Sequence, residues 1–145
     1  MGTLFDRVED LATRKVHDWK LGKIYNRSLE GYNAGCDGFL LNAIPNFAND
    51  CWQSLEYNEE TREFVSDLTP MEIDILACFW VLEWWERETN DSAQNAAKMQ
   101  TSSFSTHSPA QHMKEEQIII NTKRESAYQK INDYLVQDLD KIGGL

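Results

Sequence analysis

The chain has 145 residues, of which 41% are hydrophobic and 26% are charged, and its formal net charge is −10. This length and composition predict a folded domain with a modest core, and the charged fraction is ordinary. The negative charge repels nucleic-acid phosphates, so an ordinary DNA-binding role is disfavoured. We expect one domain over residues 1–145, with residues 1–36 as an N-terminal extension.

The cysteines and the apolar segments indicate a cellular compartment. Cys36, Cys51 and Cys78 are odd in number and show no paired spacing, which favours a reducing environment. The N-terminus has no apolar run of signal-peptide length. No segment approaches the ~20 apolar residues that cross a bilayer. We therefore expect a soluble protein of a cytoplasm, with no membrane partner.

The first third of the chain predicts two helices separated by a loop. An apolar face of period 3.6 predicts a helix over about Thr3–Lys23. Three glycines then predict a loop over Gly31–Gly38. A second helix is expected over about Asp37–Phe47, and Pro45 predicts a kink or an early stop in it.

The segment Cys51–Asp67 has a different pattern. Short apolar stretches flank the polar turn Asn58-Glu59-Glu60-Thr61, which is typical of a short β-hairpin. An isolated hairpin is marginal in water, so we expect this one to pack against helices.

The next helix carries a complete set of start signals. Thr69 is an N-cap, Pro70 fits the first helical position, and Glu72 completes a capping box. The helix is expected to run to about Asn90 or on toward Met99. Its apolar residues cover most of the circumference, which predicts burial on several sides. They are Ile73, Ile75, Leu76, Ala77, Phe79, Trp80, Val81, Leu82, Trp84 and Trp85.

A Ser/Thr-rich loop with one aromatic residue, Phe104, is predicted over Met99–His107. Ser108 and Pro109 then cap a final helix that should end near Lys141 and be on the order of 50 Å long. Its apolar stripe is thin, which predicts a helix that projects or meets several partners. The predicted fold class is thus mainly α: a small helical bundle with a short β-hairpin and a long C-terminal helix.

Signals for catalysis or metal binding are weak. Phosphate loops, nucleophile elbows and dinucleotide fingerprints are absent from the sequence. His107 and His112 are five residues apart, one too many to share a helix face as zinc ligands. The adjacent carboxylates Glu115 and Glu116 diverge on a helix and indicate a solvated face. We expect no catalytic residue, cofactor or metal, although distant residues can assemble a site that spacing does not show.

The clustered tryptophans allow two interpretations. They form a tryptophan-rich core, or some of them anchor a subunit interface, where tryptophan is enriched. Phe104 allows the same two interpretations. The candidate interface residues are Trp84, Trp85, Phe104, His107, Tyr134 and Leu135.

Three segments together resemble the head–tail connector (neck adaptor) proteins of tailed bacteriophages. They are GFLLNAIPNF at Gly38–Phe47, FVSDLTPMEIDILA at Phe64–Ala77, and SSFSTHSPAQHMK at Ser102–Lys114. The resemblance covers about Gly38–Tyr134 and lies in the order of elements and in single residues. The glycine-rich segment and the proline of the second helix depart from the pattern.

The resemblance implies a structural protein of the virion neck, assembled in the host cytoplasm. Such proteins form a ring, commonly of twelve subunits, that docks on the portal and extends the DNA channel toward the tail. The implied partners are further copies of the chain, the portal protein, a tail or stopper protein, and passing genomic DNA that is not bound sequence-specifically. A negatively charged channel conducts DNA without gripping it. In a ring, a helix that is apolar on several sides can serve its own core and a neighbour.

Another class of protein fits the charge equally well. An acidic phage-encoded inhibitor, or DNA mimic, would occupy the basic groove of a host protein. Such a mimic needs carboxylates spaced like phosphates over an exposed surface, whereas here acidic residues alternate with the apolar residues of the helix after Thr69. A small helical enzyme is a further alternative, which the missing motifs disfavour.

Overall fold

The computed structural model describes the backbone of residues 2–16, 29–100 and 108–143, and side chains within 2–16, 33–90 and 114–137. The described chain is mainly helical, with a small antiparallel sheet and a long C-terminal helix, which confirms the predicted fold class. In chain order the elements are β1 (Thr3–Leu4), α1 (Phe5–Val16), α2 (Leu29–Ala48), β2 (Tyr57–Asn58), β3 (Glu63–Phe64), α3 (Pro70–Gln100) and α4 (Ser108–Gly143).

Helix α3 is the central element, and α1, α2 and α4 all pack against it. The predicted capping box is present: the Glu72 N–H donates to Thr69 Oγ1 at 3.2 Å, and the Thr69 N–H donates to Glu72 Oε1 at 2.8 Å. The helix continues to Gln100, so Met99 and Gln100, assigned to a loop from the sequence, are helical. Its broad apolar circumference is explained by the three helices around it. The buried members are Ile73, Ile75, Leu76, Ala77, Phe79, Trp80, Val81, Leu82 and Trp84.

Helix α2 begins eight residues earlier than predicted, at Leu29, and includes the whole Gly31–Gly38 segment assigned to a loop. Tertiary packing overrides the poor helix propensity of glycine here. Cys36 is fully buried, and its carbonyl oxygen accepts a 2.8 Å hydrogen bond from the Trp80 indole N–H. The helix ends at Ala48, three residues after Pro45, so the proline lies in its last turn.

The hairpin of β2 and β3 is confirmed, and a third strand that sequence reasoning missed joins it. Strand β1 pairs with β3 on the side opposite β2, with Thr3 facing Phe64. The chain before this strand passes very close to β3, since a Cβ at Gly2 would lie 1.8 Å from the carbonyl oxygen of Phe64. Because β1 occupies Thr3 and Leu4, the first helix begins only at Phe5. Residues 17–23, also predicted helical, lie outside the described residues.

Helix α4 is 36 residues long, about 54 Å at 1.5 Å per residue. This confirms the predicted long final helix. Its buried side chains are Glu116, Ile120, Ala127, Ile131 and Tyr134, so the solvated face expected for Glu115 and Glu116 is wrong at Glu116, which is 6% exposed. The predicted N-terminal extension contributes to the same core, because Phe5, Val8 and Ala12 of α1 are buried in one cluster with residues of α2, α3 and α4.

Candidate partner interface

The residues predicted for the interface are divided between two helices of the described chain. On α3, Trp84 is buried and meets Trp85 edge to face, with ring centroids 5.1 Å apart. On α4, Tyr134 is buried and Leu135 packs partly buried against the core. Phe104 and His107 lie outside the described residues. Trp84 and Tyr134 are therefore core side chains of the single chain, and only Trp85 and Leu135 of these four are partly accessible.

Tyr134 belongs to a polar cluster that holds α4 against the start of α3. The Glu72 side chain is 2% exposed. Its Oε2 accepts a 2.7 Å hydrogen bond from the Tyr134 hydroxyl, and its Oε1 accepts one of 2.6 Å from Gln53 Nε2. The Cys51 thiol also donates to Oε2, at 3.4 Å. Together with the Thr69 N–H, these donors give the carboxylate four hydrogen-bond partners, and we call the group the Glu72 cluster.

The donors determine the charge state of the cluster. Burial raises the pKa of Glu72, but hydrogen bonds from Thr69, Tyr134 and Gln53 more than offset it and hold the pKa below its usual value. Burial raises the pKa of the Cys51 thiol to about 11 and also raises the pKa of Tyr134. At neutral pH the carboxylate is therefore charged and both donors keep their protons. A thiol in that state is a hydrogen-bond donor and not a nucleophile.

Trp52 lies next to this cluster with half of its surface exposed. Its ring stacks on Tyr134 at a centroid distance of 4.1 Å, and its backbone N–H donates to the Tyr134 hydroxyl at 3.0 Å. A cleft of about 620 Å³ opens beside it, lined by Gln53, Thr69, Pro70, Met71, Glu72, Tyr134 and Gln137 as well as Trp52. An exposed tryptophan in a rigid setting is typical of the residues that dominate binding at protein interfaces.

Sequence reasoning missed Trp52 as a candidate. It lies between α2 and β2, where no helical or strand period indicates which side chains face inward. The available signal was a tryptophan in a short segment that also contains the polar residues Asp50 and Gln53.

Helix α4 also exposes apolar side chains away from its core-facing stripe: Ile118, Ile119, Tyr128 and Val136. Ile118 and Val136 are 18 residues apart, which is five full turns, so they lie on the same line of the helix about 27 Å apart. The surface of α4 thus exposes apolar side chains at two well-separated positions along the helix axis.

A second polar cluster joins the hairpin to α1 and α2. The Arg62 guanidinium donates twice to the Asp37 carboxylate, each time at 2.8 Å. Its Nη2 also lies 3.1 Å from Glu9 Oε1 and 3.0 Å from Asp6 Oδ1. Arg62 itself has a positive φ of 55°, an uncommon conformation for a residue with a side chain. We call this group the Arg62 cluster.

Carboxyl groups outnumber the single cation of the Arg62 cluster. Glu9 is 4% exposed, and burial, with the adjacent Asp37 carboxylate, raises its pKa to about 10. Although burial also raises the pKa of Asp37, hydrogen bonds from Arg62 lower it below its usual value. At neutral pH Asp37 is therefore ionised and Glu9 is protonated. Neither the cluster nor its residues were predicted from the sequence.

Among the described residues, no three His, Cys, Asp or Glu side chains are grouped so as to hold a metal ion. None of the described helices is both long and apolar enough to span a bilayer. Comparison of the chain with protein-family models, curated proteins and solved structures found no match.

Proposed function

We propose that the chain is a head–tail connector subunit of a tailed bacteriophage, which forms a ring on the portal and extends the DNA channel toward the tail. The observation that carries the proposal is helix α4. At 36 residues it is about 54 Å long, against about 30 Å for the diameter of a small domain. A protein that joins two assemblies needs contact points that are well separated. Helix α4 exposes apolar side chains at two positions along its axis, Ile118 and Val136.

The Trp52 cleft is the docking site that we propose for the portal protein. Trp52 supplies a large aromatic surface, and one face of its ring stacks on the ring of Tyr134. Tyr134 is itself held by Glu72, so the tryptophan does not have to be ordered when the partner binds. Ordering a side chain at an interface costs about 0.5–1.5 kcal/mol, and this cost is avoided.

The proposed channel function agrees with the charge of the chain. A subunit with a net charge of −10 gains nothing from counterion release on DNA and repels the phosphates that pass it. In a gel-shift experiment at physiological salt, we expect no tight binding of duplex DNA. Tight, salt-sensitive binding would contradict a channel through which DNA passes without being bound.

The decisive measurement is the native mass of the purified chain, alone and mixed with portal rings. We expect a ring in one of the two conditions. A compact monomer in both, together with binding to a basic host protein, would overturn the connector and support the acidic inhibitor.

The docking site is tested with Trp52→Asp and a matched control, Val65→Asp. Val65 is 61% exposed and Trp52 is 50% exposed, and Val65 does not line the cleft beside Trp52. We expect Trp52→Asp to bind the portal at least tenfold more weakly than Val65→Asp does. Both variants should retain their helicity. Equal attachment of the two variants would remove Trp52 from the interface.

The C-terminal part of α4, from about Ala127, is the other surface proposed to dock on the portal or the next ring. Deletion from Tyr134 onward removes the hydroxyl bonded to Glu72, so that truncation is expected to destabilise the chain itself. Deletion of residues 138–145 leaves Tyr134 in place and is the informative variant. We expect it to fold and to join the neck poorly; unchanged neck assembly would exclude residues 138–145 from the docking surface.

A further inference from the structure

Three lysines converge on one cleft in this acidic chain. Lys15 comes from the end of α1, and Lys123 and Lys130 come from α4. The cleft has a volume of about 330 Å³, and Cys78 and Val81 of α3 and Ser126 of α4 complete its lining. We call it the lysine cleft. Its volume lies at the lower end of the range of about 300–1,000 Å³ that is typical of ligand pockets.

The lysine cleft carries an excess of positive charge. Lys15 Nζ lies 3.4 Å from Asp74 Oδ1, and Lys130 Nζ donates to the other oxygen of the same carboxylate. Lys123 forms no ion pair with any residue whose side chain the structure describes. Three ammonium groups against one carboxylate leave a local charge of 3 − 1 = +2, within a chain whose net charge is −10.

The hairpin carries the opposite charge around a hydrogen-bonded backbone turn. Glu56, Glu59 and Glu60 are all exposed, and we call them the acidic tip. Asn58 Oδ1 accepts hydrogen bonds from the backbone N–H of Glu60 at 2.9 Å and of Thr61 at 3.3 Å, which is an Asx turn. Within residues 2–16, 33–90 and 114–137, no cation forms an ion pair with the acidic tip.

The fold keeps these two charged features apart in one chain. The sheet that carries the acidic tip includes β1, which leads directly into α1 at Phe5. Lys15 is ten residues further along the same helix, which is about 15 Å. The acidic tip therefore lies toward the first end of α1 and the lysine cleft toward its other end, so neither neutralises the other.

We propose that the lysine cleft of one subunit receives the acidic tip of a second copy of the same chain. The inference rests on the proposed ring, because a ring is built from head-to-tail contacts between two different faces of the subunit. Copies of a chain with charge −10 repel each other as they approach. Placing carboxylates on the local positive site reduces that repulsion, selects the orientation of the subunits and speeds their encounter.

Charge exchange between the two features tests the proposal. Lys123→Glu reverses the lysine that has no ion pair with the described side chains, so the pairs with Asp74 are left intact. Glu59→Lys with Glu60→Lys reverses the acidic tip. The control is Lys114→Glu, which makes the same charge change at an exposed position of the same helix. Self-association is measured by native mass at low and moderate salt, alone and with portal rings present.

We expect Lys123→Glu and the double tip variant each to weaken self-association about tenfold. The triple variant, which carries both reversals, is expected to regain most of the loss, and Lys114→Glu to behave like the unmodified chain. Lys123→Gln is expected to fall in between, so the series remains informative if one reversal impairs folding.

Two outcomes would overturn the proposal. One is a triple variant that associates no better than the single reversals, and the other is Lys123→Glu that behaves like Lys114→Glu. In both, rings of the unmodified chain still form and the connector function stands. If the unmodified chain forms no ring alone or on the portal, the connector function and the lysine-cleft contact both fail.

Discussion

The Glu72 cluster and the Arg62 cluster each bury a carboxyl group that ties a helix to the segment between α2 and α3. Glu72 and Glu9 are 2% and 4% exposed, so burial alone favours the protonated form of both. Glu72 is nevertheless ionised, with its pKa below the usual value, whereas the pKa of Glu9 is raised to about 10. Both carboxyl groups are buried to a similar extent, so the difference between their pKa values comes from the groups around them.

The difference shows that the surrounding donors decide the charge of a buried carboxyl group. Glu72 accepts hydrogen bonds from Thr69, Tyr134 and Gln53, and all of these favour the ionised form. Among the described side chains, Glu9 pairs with one cation, Arg62, which it shares with two other carboxylates, Asp37 and Asp6. The shortage of donors leaves Glu9 neutral, since ionisation would add a further negative charge beside Asp37.

Removing the acceptor of the Glu72 cluster should have the largest effect. Glu72→Ala leaves the Tyr134 hydroxyl and the Thr69 N–H without their acceptor and breaks the capping box of α3. We expect the free energy of unfolding to fall by roughly 3–4 kcal/mol, as the sum of a lost cap and unsatisfied buried donors. Urea unfolding at pH 7 measures it. A loss no larger than that of Glu125→Ala, an exposed control on α4, would contradict this expectation.

Removing the cation of the Arg62 cluster should have the next largest effect. In Arg62→Ala, Asp37 and Glu9 lose the guanidinium that separates them. Breaking a fully buried ion pair costs about 3–5 kcal/mol. Because a quarter of the Arg62 side chain is exposed, we expect about 2–3 kcal/mol. Arg14→Ala, whose guanidinium donates only to a backbone carbonyl among the described contacts, is the control; equal losses in both variants would show that the cluster stabilises little.

Removing one donor from the Glu72 cluster should have a smaller effect. Tyr134→Phe keeps the ring that stacks on Trp52 and deletes only the hydroxyl. We expect a loss of about 1–3 kcal/mol, typical of a hydrogen bond to a charged group, and a higher pKa for Glu72. Thermal unfolding and carboxyl titration by NMR measure these two quantities. Tyr128→Phe, which is exposed, should change neither.

The smallest expected effect is on the pH dependence of the free energy of unfolding. The sign of this dependence is opposite for Glu9 of the Arg62 cluster and Glu72 of the Glu72 cluster. Because the pKa of Glu9 is raised to about 10, the unfolded chain loses this proton first, and stability falls as pH rises from about 4.5 toward that value. Glu9→Gln removes this slope. We expect the variant to match the unmodified chain near pH 4 and to become progressively more stable than it as the pH rises to 8.

Glu72 has the opposite dependence. The pKa of Glu72 is lowered from 4.5 by folding, so its contribution to stability is present above about pH 4.5 and is lost as pH falls through the folded pKa. Urea unfolding of Glu9→Gln over the range from pH 3 to pH 9 should therefore keep the acid limb and lose the alkaline slope. A variant that keeps both slopes would show that Glu9 is ionised in the folded chain.

The elements that sequence reasoning located are those whose signals lie within a few residues. The Thr69–Glu72 capping box, the hairpin turn around Asn58 and the long final helix are all of this kind. The errors concern partners that are far apart in sequence. Strand β1 pairs with β3 about sixty residues away, and the Gly31–Gly38 segment is helical because Cys36 and Leu40 are buried in the common core with residues of α3.

Sequence reasoning missed Trp52, the proposed docking residue, for the same reason. Tyr134 and Leu135 were named, but Tyr134 is a support and the exposed residue is Trp52, which precedes Tyr134 by 82 positions. Nothing local distinguishes a tryptophan that faces solvent from one that faces the core. The exposure of an aromatic side chain is a property of the packed molecule.

The sequence by itself determined where α3 and α4 lie, that the chain is mainly helical and that it is strongly acidic, because caps, hydrophobic periods and charge are local or additive properties. Tertiary structure alone decided which carboxyl groups are charged, where the lysines converge and which of the described tryptophans is exposed. Those properties depend on distances between groups from different helices. The pKa of a carboxyl group depends on the hydrogen-bond donors and charges within a few ångströms, and the burial of a side chain depends on the elements that pack against it.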